Sequence, residues 1–149
     1  MAQGFVVRPA REDDLDFVRR DREIPEATVR HKISAQDFFV AERNGGRAGF
    51  VCLEYLWSKF PFISLIWVAP EYRRQGIGRA LLDHAEGFLR ARGHNALYSS
   101  SVATEPEPQE WHRHMGFREC GIITGINPGG IGEVFFVRNL NSKQRSNPT

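Results

Sequence analysis

The stretch from Leu65 to Leu89 constrains this chain more than any other. It reads Leu65-Ile66-Trp67-Val68, then Ala69-Pro70-Glu71-Tyr72, then Arg73-Arg74-Gln75-Gly76-Ile77-Gly78-Arg79. Ile77, Leu81, Ala85, Phe88 and Leu89 follow at helical spacing, with Gly93 as the stop. An apolar strand therefore ends, Pro70 keeps Ala69 extended, and a helix opens on two glycines. The first N–H groups of a helix have no partner inside it and sit at the positive end of its dipole. Phosphate oxygens fit that end, and glycines without a Cβ let a bulky group approach the backbone. Arg73, Arg74 and Arg79 add full charges and planar donors. The stretch reads as an anion site for a group with several negative charges.

Two familiar phosphate loops are excluded. There is no Gly-Lys-Ser/Thr, so the loop is not a Walker A motif, and a dinucleotide fingerprint needs a third glycine where Leu81 stands.

The 149 residues suffice for one sizeable core, read as a single domain over 1–140 with a polar, disordered tail at 141–149. A formal charge of +2 is too small to indicate nucleic-acid binding. Cys52 and Cys120 give no disulfide framework, and Cys52, in an apolar strand, reads as a small core residue. No apolar run reaches membrane-spanning length and no signal-peptide pattern opens the chain, so the expectation is a cytoplasmic protein that engages neither membrane nor nucleic acid.

In chain order, Phe5-Val6-Val7 is a short strand, and Glu12-Asp13-Asp14 places acids at the start of a helix that buries Leu15, Phe17 and Val18. A second helix runs from Pro25 to about Ile33. Around it, Arg20, Arg22, Arg30, His31 and Lys32 mix with Asp21, Glu23 and Glu26 as a solvated face. Strands are expected at Phe38–Arg43, Ala48–Tyr55 and Phe62–Val68, with turns at Asn44-Gly45-Gly46-Arg47 and at Trp57–Pro61. After the long helix, Ala96–Ser101 is a fifth strand, parallel to the fourth because a helix connects them. A helix at Gln109–Met115 ends at Gly116, and strands at Phe117–Ile123 and Glu133–Arg138 flank the glycine-rich segment 125–132, which reads as a flap or a plain connection.

Three features together resemble the GNAT N-acetyltransferase superfamily: Arg73-x-x-Gly76-x-Gly78 after an apolar strand, the opening Arg8-Pro9-Ala10 followed by Asp14-Leu15, and Trp111-His112-Arg113-His114-Met115-Gly116-Phe117. The resemblance spans most of the chain. It implies an α/β (α+β) fold, a mixed and mostly antiparallel sheet of about seven strands with four helices, whose fourth and fifth strands are parallel and splayed. It implies acetyl-CoA as co-substrate, with Ile66, Trp67, Val68, Arg73, Arg74, Gln75, Gly76, Ile77, Gly78, Arg79, Ser99 and His112 on the cofactor side. The acceptor would be an amine, on a small molecule or a peptide. Dimerisation is common in such folds, and the sequence marks no interface for a homodimer.

Acyl transfer to an amine needs a neutral nitrogen, whereas a free alkylamine has a pKa of about 10.4. It also needs a donor for the thioester oxygen, which the resemblance places at a backbone N–H near Val68. The family's acid is a tyrosine, and His112 stands there instead; with an unperturbed pKa of about 6.5 an imidazole can donate a proton, or it can hydrogen-bond coenzyme A. For the base, Glu54, Glu105 and Glu133 are open, as is ordered water. No histidine spacing makes a metal site. A non-catalytic acyl-CoA-binding module is the alternative, favoured by the missing tyrosine.

Overall fold

Asn44 and Gly45 take φ of 51° and 79°, the left-handed pair that a two-residue type I′ turn requires. They join β2 (Phe38–Arg43) to β3 (Gly46–Leu56), and β2 pairs on its other edge with β1 (Val6–Pro9). The next turn departs from expectation. Trp57 and Ser58, at φ of 52° and 59°, make it without a glycine, so β4 (Phe60–Val68) begins two residues earlier than the sequence predicts. Residues 4–20 and 24–141 are described by a computed structural model. The expectations for Asp21, Arg22 and Glu23, and for the tail from 142 onward, lie outside the described residues.

Among the described residues there are four α-helices: α1 (Leu15–Val18), α2 (Glu26–Ser34), α3 (Ile77–Ala91) and α4 (Pro106–His114). The acids at Glu12–Asp14 form a 3₁₀ turn rather than the start of one long helix. α4 begins at Pro106 instead of Gln109, because prolines at the first helical positions lose no hydrogen bond. With β5 (Ala96–Val102), β6 (Arg118–Ile123) and β7 (Glu133–Asn139), the sheet has seven strands in the order β1-β2-β3-β4-β5-β7-β6. β4 and β5 are parallel, with Phe62 opposite Tyr98 and Ile63 opposite Ser99; β5–β7 and β7–β6 are antiparallel. In β6, Glu119 faces Phe136 and Gly121 faces Phe135, so Cys120 is an extra residue, a β-bulge. No helix among the described residues is long and apolar enough to cross a membrane.

The chain divides into two compact units, Met1–Leu53 with Leu65–Ala85, and Glu54–Ser64 with Glu86–Thr149. In the first, Val29, Phe38, Val40, Phe50 and Cys52 form a core against which Phe17, Leu65 and Trp67 pack. Gly49 is required there: a Cβ would lie 2.5 Å from the Trp67 carbonyl oxygen and 3.2 Å from Val68 Cα. Asp14 is 0% exposed, although its sequence context reads as a helix-dipole acid. It accepts from Arg8 Nη1 (2.8 Å) and Nη2 (3.1 Å), Arg47 Nε (2.6 Å) and the Arg11 N–H (2.7 Å). In the second unit Leu89, Leu97, Phe136 and Leu140 are buried, and the Glu86 carboxylate, also buried, pairs with Arg138. Arg138 donates in turn to the Met115 carbonyl, which is why the neighbouring Gly116 has no room for a side chain.

Candidate active site

Three groups of residues are candidates for the site, one in the first unit and two in the second. The first is the loop before α3. A 3₁₀ turn, Pro70–Tyr72, ends β4, and Arg73 Nε donates back to the Val68 carbonyl (2.9 Å), fixing the strand end. Arg74 (φ 65°) and Gly76 (φ 82°) bend the chain into α3, and the Ala80 N–H donates to the Gly76 carbonyl. Ile77, Gly78 and Arg79 open α3, so their N–H groups have no acceptor one turn back inside the helix. Arg74, Gln75, Gly76 and Arg79 are exposed, and Ile77 is buried beneath them as the anchor of the helix. A run of free donors at the positive end of a fifteen-residue helix, flanked by guanidinium groups, fits a diphosphate.

The second group lies on β5 and α4. Ser99 and His112, thirteen residues apart, are brought to 2.7 Å between Oγ and Nε2, and both are almost fully buried, at 2% and 4% exposure. His112 Nδ1 lies 2.7 Å from the Pro108 carbonyl oxygen. A carbonyl only accepts, so Nδ1 carries the proton. Burial lowers the imidazole pKa, outweighing the Pro108 bond and the Glu133 charge, both of which raise it. The ring is therefore neutral, and its Nε2 accepts from the Ser99 hydroxyl. It stacks on Phe136 (4.4 Å between centroids, 1° between planes). The parallel ladder with β4 stops at Ser99, so Ser100–Val102 have β7 on one edge and no ladder partner on the other among the described residues.

The third group is built around Glu133 at the start of β7. Ser100 Oγ donates to Glu133 Oε2 (2.7 Å), and Asn127 Nδ2 donates to Oε1 (3.0 Å). Asn127 also donates to the Gly132 carbonyl (3.2 Å), so the glycine-rich segment folds around this side chain. Asn127 carries no signal as a site residue in the sequence, and Ser100 stands out only as one of three consecutive serines on the fifth strand, which can line an extended arm or cap an exposed edge. The one hint is Asn127-Pro128, a common turn opener that places an amide where it can reach the strand after it. Glu54, on β3, and Glu105, at the cap position of α4 without a capping bond from its side chain, are both exposed.

Comparison with known proteins agrees with this architecture. A family model described as "Acetyltransferase (GNAT) domain" matches residues 34–119. Streptothricin acetyltransferase of Streptomyces lavendulae is 33% identical over 100 residues, covering 66% of this chain and 53% of that protein. The [ribosomal protein bS18]-alanine N-acetyltransferase of Escherichia coli K12 is 31% identical over 90 residues, 60% of each chain. The chain thus spans little more than half the length of these two relatives. The crystal structure of the ribosomal-protein-S18-alanine N-acetyltransferase from E. coli matches at a TM-score of 0.73 with 22% identity, covering 91% of this chain and 94% of that one. A Bacillus anthracis str. Ames structure in complex with acetyl coenzyme A matches at 0.63 with 17% identity, over 68% and 61% of the two chains.

Proposed function

The chain belongs to the GNAT acetyltransferase family, and we propose that it is an acetyl-CoA-dependent N-acetyltransferase, acting in the cytoplasm on a primary amine that attacks the thioester directly. The observation that carries this reading is the exposed glycine-containing turn that opens α3 with the N–H groups of Ile77, Gly78 and Arg79 unsatisfied within the helix. Those amides, with Arg73, Arg74 and Arg79, are suited to hold the diphosphate of coenzyme A. In the second unit, the edge of β5 beyond Ser99 is suited to an extended arm with amide groups. When bound, acetyl-CoA supplies an acetyl group activated as a thioester.

The chain's own residues have three tasks. A backbone N–H near Val68 faces the charge that grows on the thioester oxygen, and Arg73 steadies that strand end through the Val68 carbonyl. Glu133, already held by Ser100 and Asn127, receives the amine as its ammonium and accepts a proton from it. His112 has spent its single N–H on Pro108, so it acts through Ser99, whose hydroxyl it orients. The C–N bond forms as the C–S bond breaks. The nitrogen sheds two protons in all; one ends on the departing sulfur and one is released.

The test is acetyl-CoA binding by calorimetry, run beside thiol release across a broad panel of amines. Binding with turnover supports the transferase. Binding without thiol release for any amine points to an acyl-CoA-binding module, the reading that the replacement of tyrosine by His112 favours.

A further inference from the structure

On the second unit, the tip of the β3–β4 hairpin overhangs an open cavity of about 430 Å³ lined by Leu56, Trp57, Gly121, Ile122, Ile123 and Phe135. None of these residues is charged. The size falls in the range of small-molecule sites, which run from about 300 to 1,000 Å³. Its floor is aromatic: Phe135 on β7 stacks on Phe62 of β4 (5.6 Å, 28°). Trp57 is 84% exposed and sits at positive φ, a conformation a bulky residue adopts at a cost and for which asparagine or glycine is the usual solution. Its ring packs edge-on against Phe60, which meets Tyr98 in the same way.

The charge beside the cavity is specific. Glu133 stands two residues before Phe135 on β7, so the two side chains leave the same face of the strand, about 7 Å apart along it. Ser100 and Asn127 each occupy one Glu133 oxygen with a single hydrogen bond, and a carboxylate has about four acceptor positions. We propose that this cavity is the side-group site of the acceptor, and that it selects a primary amine carried on an apolar group of aromatic size. The apolar group lies between Trp57 and Phe135, and the ammonium is drawn to Glu133. Polycationic amines are disfavoured, because their further charges would enter an uncharged cavity. The inference deepens the transferase reading and rests on it.

The experiment measures thiol release at saturating acetyl-CoA with three acceptors: 3-phenylpropylamine, a tripeptide amide beginning with phenylalanine, and spermidine. The expected result is a kcat/KM for at least one aromatic acceptor roughly 10-fold or more above that for spermidine, and the better of the two identifies a free amine or a peptide end. Trp57→Ala should raise the KM for that acceptor roughly 10-fold while the KM for acetyl-CoA stays constant. Trp57 is exposed, so the fold is not at stake, and Glu133→Gln supplies a second variant expected to raise the acceptor KM. A preference for spermidine, or an acceptor KM untouched by Trp57→Ala, overturns the proposal. If no amine supports turnover while acetyl-CoA binds, the transferase reading fails on its own. The cavity is then judged by equilibrium binding of 3-phenylpropylamine: binding lost in Trp57→Ala upholds it, and absence of binding overturns it. A dimer in sedimentation that Trp57→Ala splits, without a change in acceptor KM, also overturns it by making this face a contact between copies of the chain.

Discussion

Replacing Ser99 by alanine removes the donor that reaches Nε2 of His112, where both side chains are almost fully buried. A buried acceptor left without a partner costs about 1–3 kcal/mol. At this chain length each kcal/mol moves the melting temperature by about 2–4 °C, so a fall of about 2–12 °C is expected. His112→Phe keeps an aromatic ring against Phe136 but strands the Ser99 hydroxyl and the Pro108 carbonyl, for a loss of similar size. The double variant should be more stable than the sum of the two losses implies, by about 0.5–3 kcal/mol, because the partners of one bond are removed together. Urea unfolding of the four proteins at pH 7.5 measures this coupling. Additivity within about 0.3 kcal/mol would refute the pairing. The pH dependence gives an independent reading. Burial lowers the folded-state pKa of His112, so the unfolded chain takes up that proton first on acidification. The stability this confers is complete above the unfolded value of about 6.5 and is lost as pH falls from there towards the folded value. His112→Phe should lack that part of the loss. His84, lowered by burial in the same direction, keeps its share in both proteins.

Gly78→Val should abolish coenzyme A binding in calorimetry while the melting temperature changes little, and Gly76→Val should abolish it with a fall in melting temperature, because Gly76 sits at φ 82° where valine is strained; retained micromolar affinity in both would remove the loop from the site. Gly49→Ala should cost about 1–3 kcal/mol in urea unfolding, because its new methyl meets the Trp67 backbone and not a side chain that can turn aside. For Asp14, burial alone would raise the carboxyl pKa, but the bonds from Arg8, Arg47 and the Arg11 N–H outweigh it and hold the group well below the usual carboxylate range. Its stabilisation is therefore present above the unfolded value of about 3.9 and lost as pH falls below it. Asp14→Asn should destabilise the protein at pH 7, with the gap to wild type narrowing as pH drops below about 4.

The parts of this molecule legible in sequence are those whose cause is local. Asn44-Gly45 announces its hairpin because only that chemistry adopts two successive left-handed residues cheaply. Gly76, Gly78 and the three arginines announce the loop because the helix start and its donors lie within seven residues. What stays hidden depends on partners distant along the chain. Asp14 and Glu86 look like ordinary surface acids until Arg47 and Arg138 arrive from strands 33 and 52 residues away. The Trp57-Ser58 turn has no glycine to mark it, which shifts the expected start of β4 and conceals the cavity wall. The organisation of Glu133 is hidden for the same reason as Asp14: Ser100 reaches it from β5, 33 residues earlier.

The bulge at Cys120 bears on how this protein survives at high concentration. β6 is an outer strand with every residue exposed, two adjacent isoleucines among them, which in a flat, regular strand would template growth of cross-strand aggregates. The extra residue twists that rim and breaks the even spacing of its amides, so an incoming strand cannot dock in register along its length. Deleting Cys120 would mend the ladder while Arg118 and Glu119 keep their partners Val137 and Phe136, leaving a sticky border where the native chain has a guarded one.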